Sequence, residues 1–293
     1  MLQNPSFDLI SVSPTTGALG ADVTGIDLAK PIPRATFAEL KQAMLTYQVL
    51  YIRDQDLSPE EYIKFAKRWG GIYYYPYMTG HEAHPEIFEV IKNPGEARTF
   101  GNRWHTDQMY STMPCKYTIL YAQELPSLGG DTMFSNTYAA FEALSPGMQK
   151  MALKLNTYND GNDPSRYDGK SRQQYYSSNR MGGKLKKVKK GVDVVSVHPL
   201  VRTHPETGRN ALYIGDQTVS FDGMSTEESV PLYEFFIAHL SKPEFTCRMR
   251  WEPGSLAIWD NRCVCHYAVS DYPTERRLMH RITIKDTERP KQV

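Results

Sequence analysis

The sequence predicts a mainly β domain with peripheral helices, and three observations support this prediction. Short runs with the composition of strands recur along the chain, and glycine, proline or acidic residues separate most of them. Only a few segments carry apolar residues at helical spacing. Many short strands with helices outside them are typical of a double-stranded β-helix, the cupin-like jelly roll. We therefore expect residues 1–293 to form one domain, a length that all-β folds reach without division.

The first elements follow from local patterns near the N-terminus. Residues 8–28 are rich in β-branched residues and glycine, which predicts a strand, a turn and a second strand. A helix is predicted over about 35–47, where apolar residues recur at helical spacing. A second helix is predicted to begin at SerProGluGlu (58–61), which has the pattern of a capping box. The apolar segment 49–55 between the two helices predicts a buried strand.

Strand-like segments dominate after residue 86: IFEVIK, TILYAQEL, VVSVHPLV, ALYIG, TCRMRW, LAIWD and HRITI. Two further helices are predicted, one near 138–155 and one over 225–240, where Ser225 and Glu228 form a second capping box. The polar segment 159–191 ends in a run of lysines, which is typical of a solvated face. A loop this long inside a domain indicates either a lid over a functional site or a disordered excursion.

Composition and charge exclude several classes of function. The chain has 34 basic and 33 acidic side chains, so it has no net field to attract nucleic acid or a membrane surface. No segment approaches the roughly 18 apolar residues of a membrane span, and the N-terminus lacks a signal-peptide pattern. Four irregularly spaced cysteines are typical of a reducing compartment. We expect a cytoplasmic protein with a small-molecule partner, and the sequence leaves homo-oligomerisation open.

The strongest local signal for chemistry is TrpHisThrAsp at 104–107. In a strand, His105 and Asp107 point to the same face, so an imidazole nitrogen and a carboxylate oxygen can bind one metal ion. A second imidazole would complete a facial triad, which leaves open positions around Fe(II) for a chelating substrate and O2. A His-x-Asp triplet is common by chance, so this pattern alone leaves an ordinary structural histidine as the alternative.

His266 is the candidate for the third ligand. His239 lies on a predicted helix, and His198 and His204 lie beside prolines, so these three have simple structural explanations. His266 instead follows TrpAspAsnArg (259–262) at the end of an apolar strand. Late strands of a jelly roll lie beside early ones, so a ligand that is distant in sequence can complete the site.

Two arginines of the last predicted strand indicate an anionic ligand. Strand alternation places Arg277 and Arg281 on one face. A guanidinium group inside a barrel is costly unless it meets a carboxylate, sulfonate or phosphate. The structural alternative is a ladder of exposed arginines without a specific partner.

These motifs resemble the TauD/TfdA (taurine dioxygenase-like) family of Fe(II)- and 2-oxoglutarate-dependent dioxygenases over nearly the whole chain. The similarity rests on four ordered blocks, namely TrpHisThrAsp, GlyGlyAspThr (129–132), IleTrpAspAsnArg with HisTyrAla (266–268), and the basic last strand. The resemblance implies that His105, Asp107 and His266 bind Fe(II). It also implies that Thr132 and Arg277 hold the distal carboxylate of 2-oxoglutarate.

The resemblance further implies a reaction. Fe(II) is the cofactor, 2-oxoglutarate and O2 are cosubstrates, and a small anionic substrate, a taurine-like sulfonate or a carboxylate, is hydroxylated with release of succinate and CO2. Arg281 matches the position that grips the anionic group of this prime substrate. The other candidates for substrate binding are Tyr75, Tyr77, His81 and Gln217.

Segment 72–81, IleTyrTyrTyrProTyrMetThrGlyHis, departs from the taurine enzymes and is similar to isonitrile-forming members, which oxidise an N-carboxymethyl amino acid. Oxidative desaturation or isonitrile formation at the same iron is therefore an alternative, and aromatic packing is the structural explanation. A non-catalytic cupin-like binding protein and a zinc hydrolase are two more alternatives. A non-catalytic protein has no physical reason to keep buried, unpaired arginines.

Overall fold

Two facing layers of strands with helices outside them make up the computed structural model, which describes residues 5–96, 99–180, 184–186 and 192–293. Its strands are β1 (Ser11–Pro14), β2 (Ala21–Thr24), β3 (Val49–Ile52), β4 (Phe88–Lys92), β5 (Cys115–Glu124), β6 (Thr132–Asn136), β7 (Asn156–Asp160), β8 (Val195–Pro199), β9 (Val201–Thr203), β10 (Asn210–Leu212), β11 (Thr218–Phe221), β12 (Thr246–Met249), β13 (Leu256–Asp260), β14 (Val264–Ala268) and β15 (Arg277–Lys285). Its helices are α1 (Arg34–Tyr47), α2 (Pro59–Trp69), α3 (Thr137–Glu142), α4 (Pro146–Ala152), α5 (Arg172–Tyr175) and α6 (Thr226–Leu240), with 3-10 turns at Pro164–Tyr167 and Pro243–Phe245. The mainly β jelly roll with peripheral helices is confirmed.

The larger sheet carries the late strands in its centre. Its strand order is β1-β2-β3-β13-β5-β15-β4, in which β2 and β3 are parallel and the other pairs are antiparallel. A smaller sheet has the order β12-β6-β14. Strands β7, β8 and β11 form another sheet, and β9 pairs with β10. Because β15 pairs with β4 on one edge and with β5 on the other, its backbone is fixed between two strands.

One apolar cluster fills the space between the larger and the smaller sheet. Trp259 of β13 and Met279 of β15 pack in it with Phe134 of β6 and Met249 of β12. Helices α1 and α2 bury their apolar faces in a second cluster on the other side of the larger sheet. Burial of this kind contributes about 25 cal/mol per Å² of apolar surface, so polar groups between the sheets must be held by specific contacts.

The predicted beginnings of α2 and α6 are confirmed by their capping boxes. The Ser58 hydroxyl accepts a hydrogen bond from the Glu61 amide at 3.2 Å, and the Glu61 carboxylate accepts one from the Ser58 amide at 2.8 Å. Ser225 and Glu228 repeat both bonds at the same distances. These contacts satisfy amide groups that have no partner within the helix.

The single helix predicted near 138–155 is wrong, because this segment forms α3 and α4. Ser145 accepts a hydrogen bond from the amide of Met148, and Pro146 occupies the first turn of α4. A proline has no amide hydrogen to donate to the preceding turn, so α3 cannot continue through this position.

All four cysteines are free thiols and are buried. Within the described ranges, no helix combines the length and the apolar character needed to cross a bilayer.

Candidate active site

His105, Asp107 and His266 meet in the structure. His105 and His266 exchange two backbone hydrogen bonds, of 3.0 and 2.7 Å, which form an isolated antiparallel bridge. Their ring centroids lie 4.0 Å apart, and Nε2 of each ring lies 3.8 Å from Oδ1 of Asp107. All three side chains are buried. One nitrogen or oxygen atom from each residue can therefore contact a single ion.

The prediction that strand alternation brings His105 and Asp107 together is wrong, because residues 104–107 do not form a strand. The backbone makes only the bridge at His105 and then turns, and Gln108 has a positive φ of 60°. Gly101 also shapes this region, since its φ is 85° and an added Cβ would lie 3.2 Å from Cε1 of His105. The two ligands converge through a bridge and a turn rather than through strand alternation.

Hydrogen bonds and charge leave the ligand atoms in the states that a divalent ion needs. Nδ1 of His105 lies 2.7 Å from the carbonyl oxygen of Arg103, which can only accept, so Nδ1 carries the proton and Nε2 keeps its lone pair. Burial, reinforced by His105, lowers the pKa of His266 well below its usual range, so this imidazole is neutral. Two imidazole nitrogens and a carboxylate suit Fe(II).

The two oxygens of Asp107 face different partners. Oδ2 accepts a hydrogen bond from the Thr118 hydroxyl at 2.6 Å and lies 2.9 Å from Nη2 of Arg281. The Thr118 hydroxyl in turn accepts one from Nδ2 of Asn261 at 3.0 Å. Burial alone would raise the pKa of Asp107, but Arg281 and the imidazoles hold that pKa well below its usual range. Asp107 is therefore ionised, with Oδ1 directed to the histidines.

A cavity connects the two histidines with Thr132 and Arg277. Arg277 is buried, and its Nε and Nη2 atoms have no hydrogen-bond partner among the described residues. The Thr132 hydroxyl accepts a hydrogen bond from Nε1 of Trp251 at 3.0 Å, so its own proton remains to be donated. Unpaired donors around one buried charge suit a carboxylate, which fits the distal group of 2-oxoglutarate.

The GlyGlyAspThr loop brings β6 close to Arg277. Gly130 has a φ of 72°, which is unfavourable for residues with a side chain, and an added Cβ would lie 3.1 Å from Cδ of Arg277. Its amide donates to Oδ1 of Asp271 at 2.7 Å. The glycine is thus needed both for the turn and for the space that Arg277 occupies.

A larger cavity also reaches His105 and Asp107. We call it the aromatic cavity, and the side chains that define it are Tyr75, Phe100, Gln108, Arg166, Tyr167, Arg172, Tyr176, Asp216, Gln217 and Arg281. Several of these belong to segment 159–191, which the sequence predicts to be a lid. Residues 181–183 and 187–191 of that segment lie outside the described residues, and the lid stays a prediction.

Two predicted substrate residues, Tyr75 and Gln217, line the aromatic cavity. The amide of Gln217 is already engaged, because Oε1 accepts from the Tyr110 amide and Nε2 donates to the carbonyl oxygen of Thr106, both at 3.3 Å. Gln217 therefore supports the backbone beside the metal ligands. Tyr75 presents its ring and hydroxyl to the cavity, where the hydroxyl accepts a bond from Arg172.

The structure does not bring Tyr77 or His81 to the cavity wall. Tyr77 is 2% exposed, and its ring centroid lies 3.8 Å from the guanidinium carbon of Arg172. The His81 ring stacks on His84 and contacts His280. Because His280 and Arg281 are consecutive in β15, their side chains point to opposite faces, and His81 lies on the face away from Arg281.

Several polar residues around the site escaped sequence reasoning. Thr118 and Asn261 hold Asp107, and Gln108 and Arg172 line the aromatic cavity. The positions of Gln108, directly after a predicted ligand, and of Asn261, within TrpAspAsnArg, were available signals. No pattern marks Thr118 or Arg172, since each is a single residue whose role depends on contacts that are distant in sequence.

Comparison with known proteins identifies relatives over almost the full length. The family model for "Taurine catabolism dioxygenase TauD, TfdA family" matches residues 11–283. An alkylsulfatase of Acinetobacter baylyi is 33% identical, over 97% of this chain and 87% of the relative. An α-ketoglutarate-dependent sulfate ester dioxygenase of Pseudomonas putida is 30% identical, over 94% and 89%. The crystal structure of a taurine dioxygenase from Burkholderia xenovorans superposes with a TM-score of 0.78 at 29% identity, over 95% of this chain and 90% of the other.

These matches decide between the classes of function considered above. Curated relatives are named as 2-oxoglutarate (α-ketoglutarate) dioxygenases for sulfate esters, sulfonates and phenoxy acids. A non-catalytic binding protein and a zinc hydrolase are therefore wrong as descriptions of this chain. Fe(II), 2-oxoglutarate and O2 are its cofactor and cosubstrates, and the cluster of His105, Asp107 and His266 fits the metal. The chain belongs to the TauD/TfdA family of 2-oxoglutarate-dependent non-haem iron dioxygenases.

Proposed function

We propose that this enzyme hydroxylates a small organic anion, a taurine-like sulfonate or a carboxylate, and releases succinate and CO2. One observation carries the proposal: a single cavity is lined by two histidines of the metal cluster, by Thr132 and by Arg277, whose Nε and Nη2 atoms have no hydrogen-bond partner among the described residues. The names of the relatives support an anionic substrate and extend the chemical class to sulfate esters.

In this proposal His105, Asp107 and His266 hold Fe(II). The iron, when bound, supplies oxygen activation that is coupled to the oxidative decarboxylation of 2-oxoglutarate. The protein keeps three ligands on one side of the ion, which leaves the remaining positions for a chelating cosubstrate and O2. Thr118 and Arg281 fix the carboxylate of Asp107, so that only Oδ1 is directed to the metal.

Arg277 and Thr132 are proposed to bind the distal carboxylate of 2-oxoglutarate. The guanidinium group supplies charge and two unpaired donors, and the hydroxyl supplies a third. Apolar side chains of Leu120 and Trp259 line the same cavity and exclude water from the cosubstrate.

The aromatic cavity is proposed to hold the prime substrate. Arg281 borders both this cavity and the cosubstrate cavity, which agrees with the sequence-based proposal that it contacts the substrate anion. The Arg281 guanidinium group also forms an ion pair with Asp107, in which Nη2 lies 2.9 Å from Oδ2. Tyr75 and Phe100 supply apolar walls that orient the C–H bond to be oxidised.

The proposal is tested by measuring succinate formation from 2-oxoglutarate by mass spectrometry, under ferrous aerobic conditions and with a panel of sulfonates, carboxylates and sulfate esters. We expect substrate-stimulated succinate and one iron per chain after anaerobic purification. His105→Ala should abolish both, whereas His280→Ala, a histidine on the opposite face of β15, should retain iron. Absence of succinate with every acid would refute the proposal.

A second candidate reaction is favoured by one observation. Tyr73, Tyr74 and Tyr75 line a third cavity together with Lys186 and Arg281. The tyrosine run thus lines a cavity and does not only pack against other side chains. This supports desaturation or isonitrile formation on an N-carboxymethyl amino acid. If such a substrate yields no iron-dependent product by mass spectrometry, this candidate reaction is excluded.

A cytoplasmic location stays a prediction from the sequence.

A further inference from the structure

Arg172 is a buried cation whose contacts are all neutral. It is 6% exposed, and its Nε and Nη2 atoms donate to the Tyr167 hydroxyl and the Gly161 carbonyl oxygen, both at 2.7 Å. Nη1 donates to the Tyr75 hydroxyl at 3.4 Å, and the guanidinium carbon lies 3.8 Å from the ring centroid of Tyr77. A buried charge without an opposite charge is costly, so this position calls for an anion.

Arg166 and Arg281 also line the aromatic cavity, but unlike Arg172 each lies against a carboxylate. Arg166 pairs with Asp216 at 2.6 Å, and Arg281 pairs with Asp107 at 2.9 Å. No carboxylate forms an ion pair with Arg172 in the part of the chain that the structure describes. A guanidinium group has five N–H donors, of which the three bonds of Arg172 use only part. Arg172 therefore retains both charge and donors for a ligand.

Gln108 supplies an independent observation on the same cavity. Its side chain is 2% exposed, and neither its amide nitrogen nor its amide oxygen has a hydrogen-bond partner among the described residues. Its backbone has a φ of 60°, which is uncommon for a residue with a side chain. A buried amide without partners is destabilising, and strained, unsatisfied groups cluster where ligands bind. Gln108 lines the aromatic cavity and directly follows Asp107 in the sequence.

We infer that Arg172 binds the anionic group of the prime substrate and that the Gln108 amide hydrogen-bonds a polar atom of the same molecule. This inference rests on the proposed function, in which an organic anion occupies the aromatic cavity. Tyr75, Phe100 and Tyr176 then enclose an alkyl or aryl body. Arg281 positions Asp107 and also borders this cavity, where it contacts the same anionic group. Arg172 and Gln108 are specificity-determining residues of this enzyme.

The first experiment measures binding by calorimetry to the iron-loaded enzyme with 2-oxoglutarate, without oxygen. The probes are hexyl sulfate, hexanesulfonate and hexanoate. We expect Arg172→Gln to raise the Kd of the bound probes about 10- to 100-fold, which is the loss typical of a charge-assisted contact. Arg172→Lys should restore part of the affinity. The matched control Lys170→Gln removes one charge from an exposed position of the same segment and should leave Kd unchanged.

The second experiment uses Gln108→Leu, because the loss of Arg172 contacts could also disturb folding. Leucine has a similar size, and Gln108 makes no side-chain hydrogen bond with the described protein that would be lost. We expect an unchanged or higher Tm together with a KM for the oxidised acid that rises about 5- to 10-fold, the effect of one neutral hydrogen bond. An unchanged KM removes Gln108 from the assignment.

The outcomes separate this inference from the proposed function. If the wild-type enzyme forms no succinate, the proposed function fails. If it forms succinate and oxidises an acid, but Arg172→Gln binds the probes as tightly as the wild type, only the assignment of Arg172 is overturned. A wild-type enzyme that turns over 2-oxoglutarate and binds none of the three anions overturns the assignment as well.

Discussion

Nη2 of Arg281 lies 2.9 Å from Oδ2 of Asp107, whereas Oδ1 of the same carboxylate faces both histidines. The arginine thereby stabilises the negative charge of a proposed metal ligand from the side opposite the histidines. Such outer partners orient the ligand and tune the affinity for the metal. This arrangement leads to the first prediction.

Arg281→Gln should weaken metal binding. Loss of the ion pair frees Oδ2 of Asp107, and we expect the Kd for Fe(II) to rise about 10- to 100-fold, as for other outer partners of metal ligands. Anaerobic titration with ferrous iron measures this change. Arg276→Gln is the control, because Arg276 pairs at the surface with Glu124. Equal affinities in both variants would contradict the positioning role of Arg281.

Thr118→Val should destabilise the protein, because it removes a hydrogen bond to the carboxylate of Asp107. Valine keeps the shape of threonine but removes the 2.6 Å bond to Asp107 and the acceptor for Asn261. We expect the free energy of unfolding to fall by about 2 kcal/mol, because a buried bond to a charged group is lost. Chemical denaturation measures the change. Thr118→Ser retains the hydroxyl and should behave nearly as the wild type, and a similar loss in both variants would argue against the hydrogen bond as the cause.

Gly130→Ala should lower the affinity for 2-oxoglutarate. Its positive φ is strained with any side chain, and the new methyl group would press on Arg277. Gly208→Ala is the matched control, since Gly208 has a φ of 70° and no atom within 4 Å of an added Cβ. Both variants should lose about 1–2 kcal/mol of stability from backbone strain. Only Gly130→Ala should raise the Kd for 2-oxoglutarate in calorimetry. Equal Kd values in the two variants would show that Gly130 does not contribute to binding of the cosubstrate.

Acidification should destabilise the fold through His198. Burial lowers the pKa of His198 from 6.5 to about 4, and its Nε2 lies 2.9 Å from the carbonyl oxygen of Ser111. Between these two pH values the unfolded chain binds a proton that the folded chain does not. The free energy of unfolding should therefore fall by up to about 3 kcal/mol as the pH drops through this window. The free energy of unfolding is measured by chemical denaturation at pH 7 and at pH 4.5. It should fall less between these two pH values in His198→Gln than in the wild type; an equal fall in both proteins would exclude His198 as the cause.

Local patterns were sufficient for most elements of the fold. The capping boxes at Ser58 and Ser225 are visible in the sequence, and they predict where α2 and α6 begin. The division between α3 and α4 has a similar signal, Ser145 followed by Pro146, which the prediction of one helix near 138–155 did not use. The helical state of this segment was thus predicted correctly, and its interruption was missed.

The metal cluster was predictable because its residue types are unusual, whereas the geometry that forms it was not. His105 and Asp107 were singled out by their spacing, although a bridge and a turn bring them together rather than a strand. Arg172 could not be singled out, since its significance lies in the absence of a nearby carboxylate in the described fold. Only three-dimensional contacts reveal such an imbalance of charge.

The position of β15 between β4 and β5 has a consequence for how such enzymes diverge. Pairing with β4 holds the backbone of Arg277, and pairing with both β4 and β5 holds that of Arg281, so a change there would disturb decarboxylation before it altered substrate range. Arg172 belongs to an excursion outside this sheet, which tolerates replacement more readily. Grafting residues 161–180 from a relative should therefore exchange the accepted acid while oxidation of the cosubstrate persists.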